Sequence, residues 1–201
     1  NLNIEFSAGS NPTIRGGNAA DAPFGWAFFP AGGRQQGGDF FIGDDYAGGN
    51  FDARVPIVGN YSYMLHLHEI GHTLGLHHPH DGGESLPQFY DNIEFTVMSY
   101  RSYAGGPLSY RAFGDSFPQS YMMLDIQALQ YLYGADFTVQ SGDTVYSWDP
   151  GSGITTIDGV TAIDPIGNRI FATIWDGGGN DTFDLSAYSD DLNIDLRPGE
   201  T

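Results

Sequence analysis

The chain has 201 residues, 40% of them hydrophobic, and a formal net charge of −18 from seven Lys and Arg against 25 Asp and Glu. Binding to phosphate backbones or anionic membrane surfaces needs clustered cations, so the charge argues against nucleic-acid and membrane partners, and no apolar run approaches the ~20 residues of a membrane-spanning helix. There is no cysteine, hence no disulfide and no thiolate metal site, and packing or oxygen- and nitrogen-bound metals must stabilise the fold.

In chain order, Asn1 to Phe6 alternates polar and apolar residues, which predicts a half-buried strand. Neither an initiator Met nor a leader-like segment precedes it, so the chain reads as a processed product or an excised piece. Gly25 to Pro30 and Asp39 to Gly43 are short aromatic runs bounded by glycine, predicting a hairpin or neighbouring pair; Pro30 favours an edge position for the first. From about Tyr61 to Leu74 the period becomes helical, with Tyr63, Met64, Leu67, Ile70 and Leu74 on one stripe and His68 and His72 expected on the opposite side. Gly75 follows where a helix end favours positive φ. Residues 79–119 read as loop, a second helix is predicted over about 120–133, and Gly134 closes it. Beyond it, short strands are punctuated by Gly-Asp and Asp-Gly, which sets a soft boundary near residues 135 to 140.

All six histidines lie within residues 66–80. His68-Glu69-Ile70-Gly71-His72 is an HExxH pattern on a helix. Residues four apart stack one turn above each other, so both imidazoles can reach one ion while Glu69 faces a metal-bound water. Zinc lowers the pKa of such a water, the carboxylate takes its proton, and the chemistry implied is amide hydrolysis. His66 is about 160° away from His68 around the helix and is expected to pack or face solvent. His77 and His78 are adjacent in extended chain, so one of them faces the metal, and the spacing alone does not choose. His80 follows Pro79 in a loop, where solvent exposure is expected ahead of the alternative, a supporting contact to a ligand.

The longer pattern HExxHxxGxxH (His68, Glu69, His72, Gly75, His78), with Met98-Ser99-Tyr100 downstream, matches the metzincin signature. With Pro79 after the third histidine it resembles the serralysins, calcium-dependent secreted bacterial metalloproteases. The resemblance implies an α+β fold. A metzincin (zincin-like) twisted mixed sheet would carry an active-site helix and a C-terminal helix, followed by the beginning of a calcium-binding parallel β-roll. Residues 1–136 would be an N-terminally incomplete catalytic domain and 137–201 the start of the roll. It makes His68, His72 and His78 the ligands of one catalytic Zn2+, Glu69 the general base and Met98 the floor beneath the metal. Tyr100 becomes a resting-state ligand that later binds the oxyanion. His66, His77 and His80 are then bystanders.

The resemblance also implies Ca2+ bound by Gln140, Gly142, Thr144, Asp176, Gly178 and Asp181, with Gly179 and Asp181 opening a second site. Trp26, Ala27 and Phe28 are the candidate edge strand for a protein or peptide substrate. A helix that precedes this segment in the family is expected either as a separate N-terminal segment or propeptide, or to be dispensable. The location implied is extracellular. The competing reading is a catalytically silent, calcium-stabilised binding module that retains a zinc site.

Overall fold

The computed structural model describes residues 12–20, 23–31, 37–49, 52–82, 85–112 and 114–197. The strand expected over Asn1 to Phe6 lies outside them. β1 (Gly16–Ala19), β2 (Gly25–Ala27) and β3 (Phe40–Gly43) form a mixed sheet in the order β1-β3-β2. β2 runs antiparallel to β3, as the aromatic runs predict, and occupies an edge. β1 pairs parallel with β3 and was not legible, because Gly-Gly-Asn-Ala carries no apolar alternation. The Phe40 ring lies over Gly16, where an added Cβ would come within 2.5 Å of it.

α1 spans Tyr61–Thr73 and α2 Met123–Tyr133. The Asn60 side chain caps α1 by accepting from the Tyr63 amide at 2.8 Å. At the other end Gly75 takes φ +96°, with Leu76 N–H donating to Gly71 O and Gly75 N–H to His72 O. This is a Schellman closure, and it turns the chain sharply back toward the helix. The burial of α1 corrects one expectation. Its buried face is Met64, Leu65, His68, Glu69 and His72, while Leu67 and Ile70 are only half-buried. Met64 sits one turn before His68 and Leu65 one turn before Glu69, so the apolar and metal-ligating rows run together into the core.

One apolar cluster joins Ile42, Tyr61, Met64, Leu65, Ile93 and Phe117; a second joins Leu76, Val97, Met98 and Met122. Two phenols at the ends of α2 bond to the α1 segment, Tyr121 just before it donating to Leu67 O and Tyr133 at its end donating to Leu74 O. Beyond α2 lies a four-stranded sheet of β4 (Val145–Trp148), β5 (Thr155–Ile157), β6 (Val160–Ile163) and β7 (Thr182–Asp184), in the order β6-β5-β4-β7. Among the described residues β4 pairs with β7 in parallel, while β4 with β5 and β5 with β6 are antiparallel. Residues 166–173 run back along the first part of the chain, Ile166 bonding Val58 and Phe171 bonding Gln119.

Candidate metal centre

His68 and His72 project from consecutive turns of α1, and the Gly75 turn brings His78 back to them. Its Nε2 lies 3.1 Å from that of His68 and 3.0 Å from that of His72. Each ring is fixed through its other nitrogen. His68 Nδ1 donates to Val97 O at 2.8 Å, His72 Nδ1 to Leu76 O at 2.8 Å, and His78 Nδ1 to Asp81 Oδ2 at 2.6 Å. With all three protons engaged on Nδ1, all three Nε2 lone pairs converge. Burial holds His68 neutral down to a pKa of about 3 and His72 down to about 4. This donor set suits a borderline cation of zinc's kind.

Glu69 is buried one residue from the first histidine, and its Oε2 has no hydrogen-bond partner among the described residues. Burial pushes its carboxyl up to about 8. The Tyr100 hydroxyl lies 2.9 Å from His78 Nε2, and its ring stacks on His68 at 5.5 Å. Its phenol is pushed up to about 12, chiefly by burial and then by Glu69. Met98 is buried beneath α1; a Cβ added to Gly71 would come within 2.6 Å of its sulfur.

His77 is not among the converging nitrogens and stacks on Phe29 at 4.3 Å, and His66 bonds Ser62 O at 2.7 Å. His80 departs from expectation. It is not solvated: its ring lies parallel to His78 at 5.3 Å and its Nδ1 is 3.4 Å from the buried Asp91. Asp91 also accepts from Ser99 Oγ and Arg101 Nε, tying the loop around Tyr100. Asp125 was likewise missed. It accepts from Thr96 Oγ1, Val97 N and Met122 N, and so fixes the carbonyl that orients His68.

Two adjoining cavities share Gly25, His68, Glu69 and Tyr100. One, of about 560 Å3, is walled by Phe24, Tyr46, Tyr61, Leu65, Leu108 and Tyr110. The other, of about 300 Å3, lies along β2 and includes Trp26, Ala27, Phe29 and Asp81. Trp26 and Phe28 stand half-exposed at the β2 edge.

The expected calcium ligands lie on two strands of chain drawn side by side. Gly177 N–H bonds Val139 O, and Thr144 N–H donates to Asp181 Oδ1 at 3.0 Å. Gly179 passes so close to Gly142 O that any Cβ would collide with it. Asp176 Oδ2 instead accepts from the Tyr146 hydroxyl at 2.5 Å, and Gln140 sits at φ +43° with no side-chain hydrogen bond to these residues.

Residues 135–201 match the family described as Peptidase M10 serralysin C terminal. Serralysin of Proteus mirabilis is 39% identical over 83% of this chain and 34% of its own length. Serralysin G of Dickeya chrysanthemi is 34% identical over 98% of the chain and 42% of its own length. Metalloprotease AprA of Pseudomonas entomophila is 36% identical over 71% and 30%. The chain thus spans between about a third and two-fifths of the length of these relatives. With likeness running through both the histidine-bearing region and the C-terminal third, the chain belongs to the serralysin-type metalloproteases.

Proposed function

We propose that the chain is the zinc-dependent endopeptidase portion of a secreted serralysin-type protease, hydrolysing peptide bonds in extracellular proteins. Residues 1–136 form its metzincin catalytic part, and residues 137–201 begin a calcium-stabilised β-roll. One observation supports this reading: His78 Nε2 lies within 3.1 Å of the Nε2 atoms of both His68 and His72, beside a carboxylate oxygen that has no partner among the described residues. Lone pairs that close repel one another unless a cation lies among them. Three nitrogen donors facing an open cleft suit a catalytic site, whereas structural zinc is enclosed by four.

His68, His72 and His78 would hold the ion, with Tyr100 adjacent as a resting-state ligand. Bound zinc supplies Lewis acidity, polarising a carbonyl and acidifying water. Glu69 accepts a proton from the attacking water on Oε2, which has no partner among the described residues, and returns it to the leaving amine. Tyr100 remains protonated, so its hydroxyl is a donor for the developing oxyanion. The substrate backbone adds antiparallel to the β2 edge at Trp26, Ala27 and Phe28. The larger cavity receives an apolar side chain. Gln140, Gly142, Thr144, Asp176, Gly178, Gly179 and Asp181 offer the carboxylate and carbonyl oxygens that calcium takes.

The test is Glu69→Gln. It is expected to retain zinc by metal analysis while casein cleavage falls by at least about 10²–10⁴-fold. A chelator should silence the unaltered chain, and zinc should restore it. Substantial cleavage by Glu69→Gln would sink the mechanism. Zinc uptake without cleavage by the unaltered chain would favour the silent binding module.

A further inference from the structure

The three histidines are not held alike. The in-plane partners of His68 and His72 are the backbone carbonyls of Val97 and Leu76, which no side-chain substitution removes. His78 stands on the loop beyond Gly75, and its in-plane partner is the Asp81 carboxylate at 2.6 Å. The Asp81 side chain is 62% exposed, so it fills no core position. The His80 ring covers one face of His78 at an interplanar angle of 4°. A stacked face restrains tilt but leaves the imidazole free to swing in its own plane. Only a hydrogen bond at Nδ1 fixes where Nε2 points.

We propose that Asp81 is the positioning residue of this centre, the side chain that aims His78 Nε2 at the ion. The inference rests on the zinc reading above and adds to it that the affinity of the site is set from the loop. Asp81 is not one of the three converging ligands. Its carboxylate keeps the His78 proton on Nδ1 and the lone pair on Nε2, and its negative charge makes the ring a stronger donor. Because Asp81 also lines the cavity along β2, the loop that sets the third ligand is the loop that borders the cleft.

The experiment measures zinc affinity of the 201-residue chain by competition with a chromophoric chelator, for the unaltered chain, Asp81→Ala and Asp81→Asn. Melting of the metal-free proteins and the visible spectrum of the cobalt-loaded ones are recorded alongside. Asp81→Ala is expected to weaken zinc binding by about 10- to 100-fold. The metal-free melt should stay unchanged and the cobalt bands should shift. Asp81→Asn keeps an acceptor without the charge, so it should restore the cobalt spectrum and recover part of the affinity. Equal affinity in all three proteins would overturn the proposal, as would an Asp81→Ala loss matched by a lowered metal-free melt. Failure of the unaltered chain itself to bind zinc would instead overturn the zinc reading, and this inference with it.

Discussion

Glu69 owes its position to a missing atom. The carboxylate lies flat against β2 because Gly25 has no Cβ; one built there would stand 2.9 Å from Oε1 and 3.0 Å from Cγ. Gly25→Ala is therefore expected to displace the carboxylate while leaving the three imidazoles untouched. A displacement of about 1 Å can cost about 10²-fold in rate. The check is kcat beside zinc content, and an unchanged kcat would show that Glu69 tolerates the crowding. The histidines were legible because their spacing is local: four residues along a helix, then a glycine turn. Asp91 and Asp125 were not, because their partners lie elsewhere in the chain. Asp91 meets Ser99 and Arg101, and Asp125 meets Thr96 and Val97 from 28 or 29 residues away. Asp81, three residues past His78, was within reach of a spacing argument.

Among the elements, both helices and the β2–β3 pair were readable from period and punctuation. The face that α1 buries was not. Periodicity finds an apolar row, but Met64 belongs both to that row and, beside Leu65, to the metal-ligating face one turn on, and only packing decides between them. α2 carries a consequence for acidity. Asp125 at its start is buried, and burial outweighs its three hydrogen bonds to push the carboxyl up to about 6. A raised carboxyl pKa means that the folded state holds the proton more tightly than the unfolded one. The stability contributed by this group is present below the ordinary value of 3.8 and is lost as pH rises through about 6. Unfolding free energies of the chain and of Asp125→Asn, measured from pH 4 to 7, isolate the effect because other carboxylates cancel. The variant is expected to be destabilised most at pH 4, and a constant difference would show that Asp125 does not titrate in that range.

At the scale of the molecule, a net charge of −18 on 201 residues is a self-repulsion that bound cations relieve. Calcium is expected to raise the melting temperature, by about 2.7 kcal/mol of added stability at a hundredfold excess over its Kd. Magnesium at the same ionic strength should do less, because it gives up its waters reluctantly. Asp181→Asn should shrink the difference between the two ions. An equal response to both would reduce calcium to charge screening. The antiparallel ladders of the C-terminal sheet were beyond the sequence, since Gly-Asp punctuation marks where strands end and not which strands pair.

The return of residues 166–173 across the earlier chain also sets a timetable. The Gln119 side chain donates to Arg169 O and accepts from Phe171 N, and the Ser120 hydroxyl accepts from Thr173 N, partners 50 to 53 residues downstream. At about 5–20 residues per second, synthesis leaves Gln119 and Ser120 waiting roughly 3–10 s for these partners. The loop that leads into α2 is thus translated early but clasped late, once the ribosome has passed residue 173.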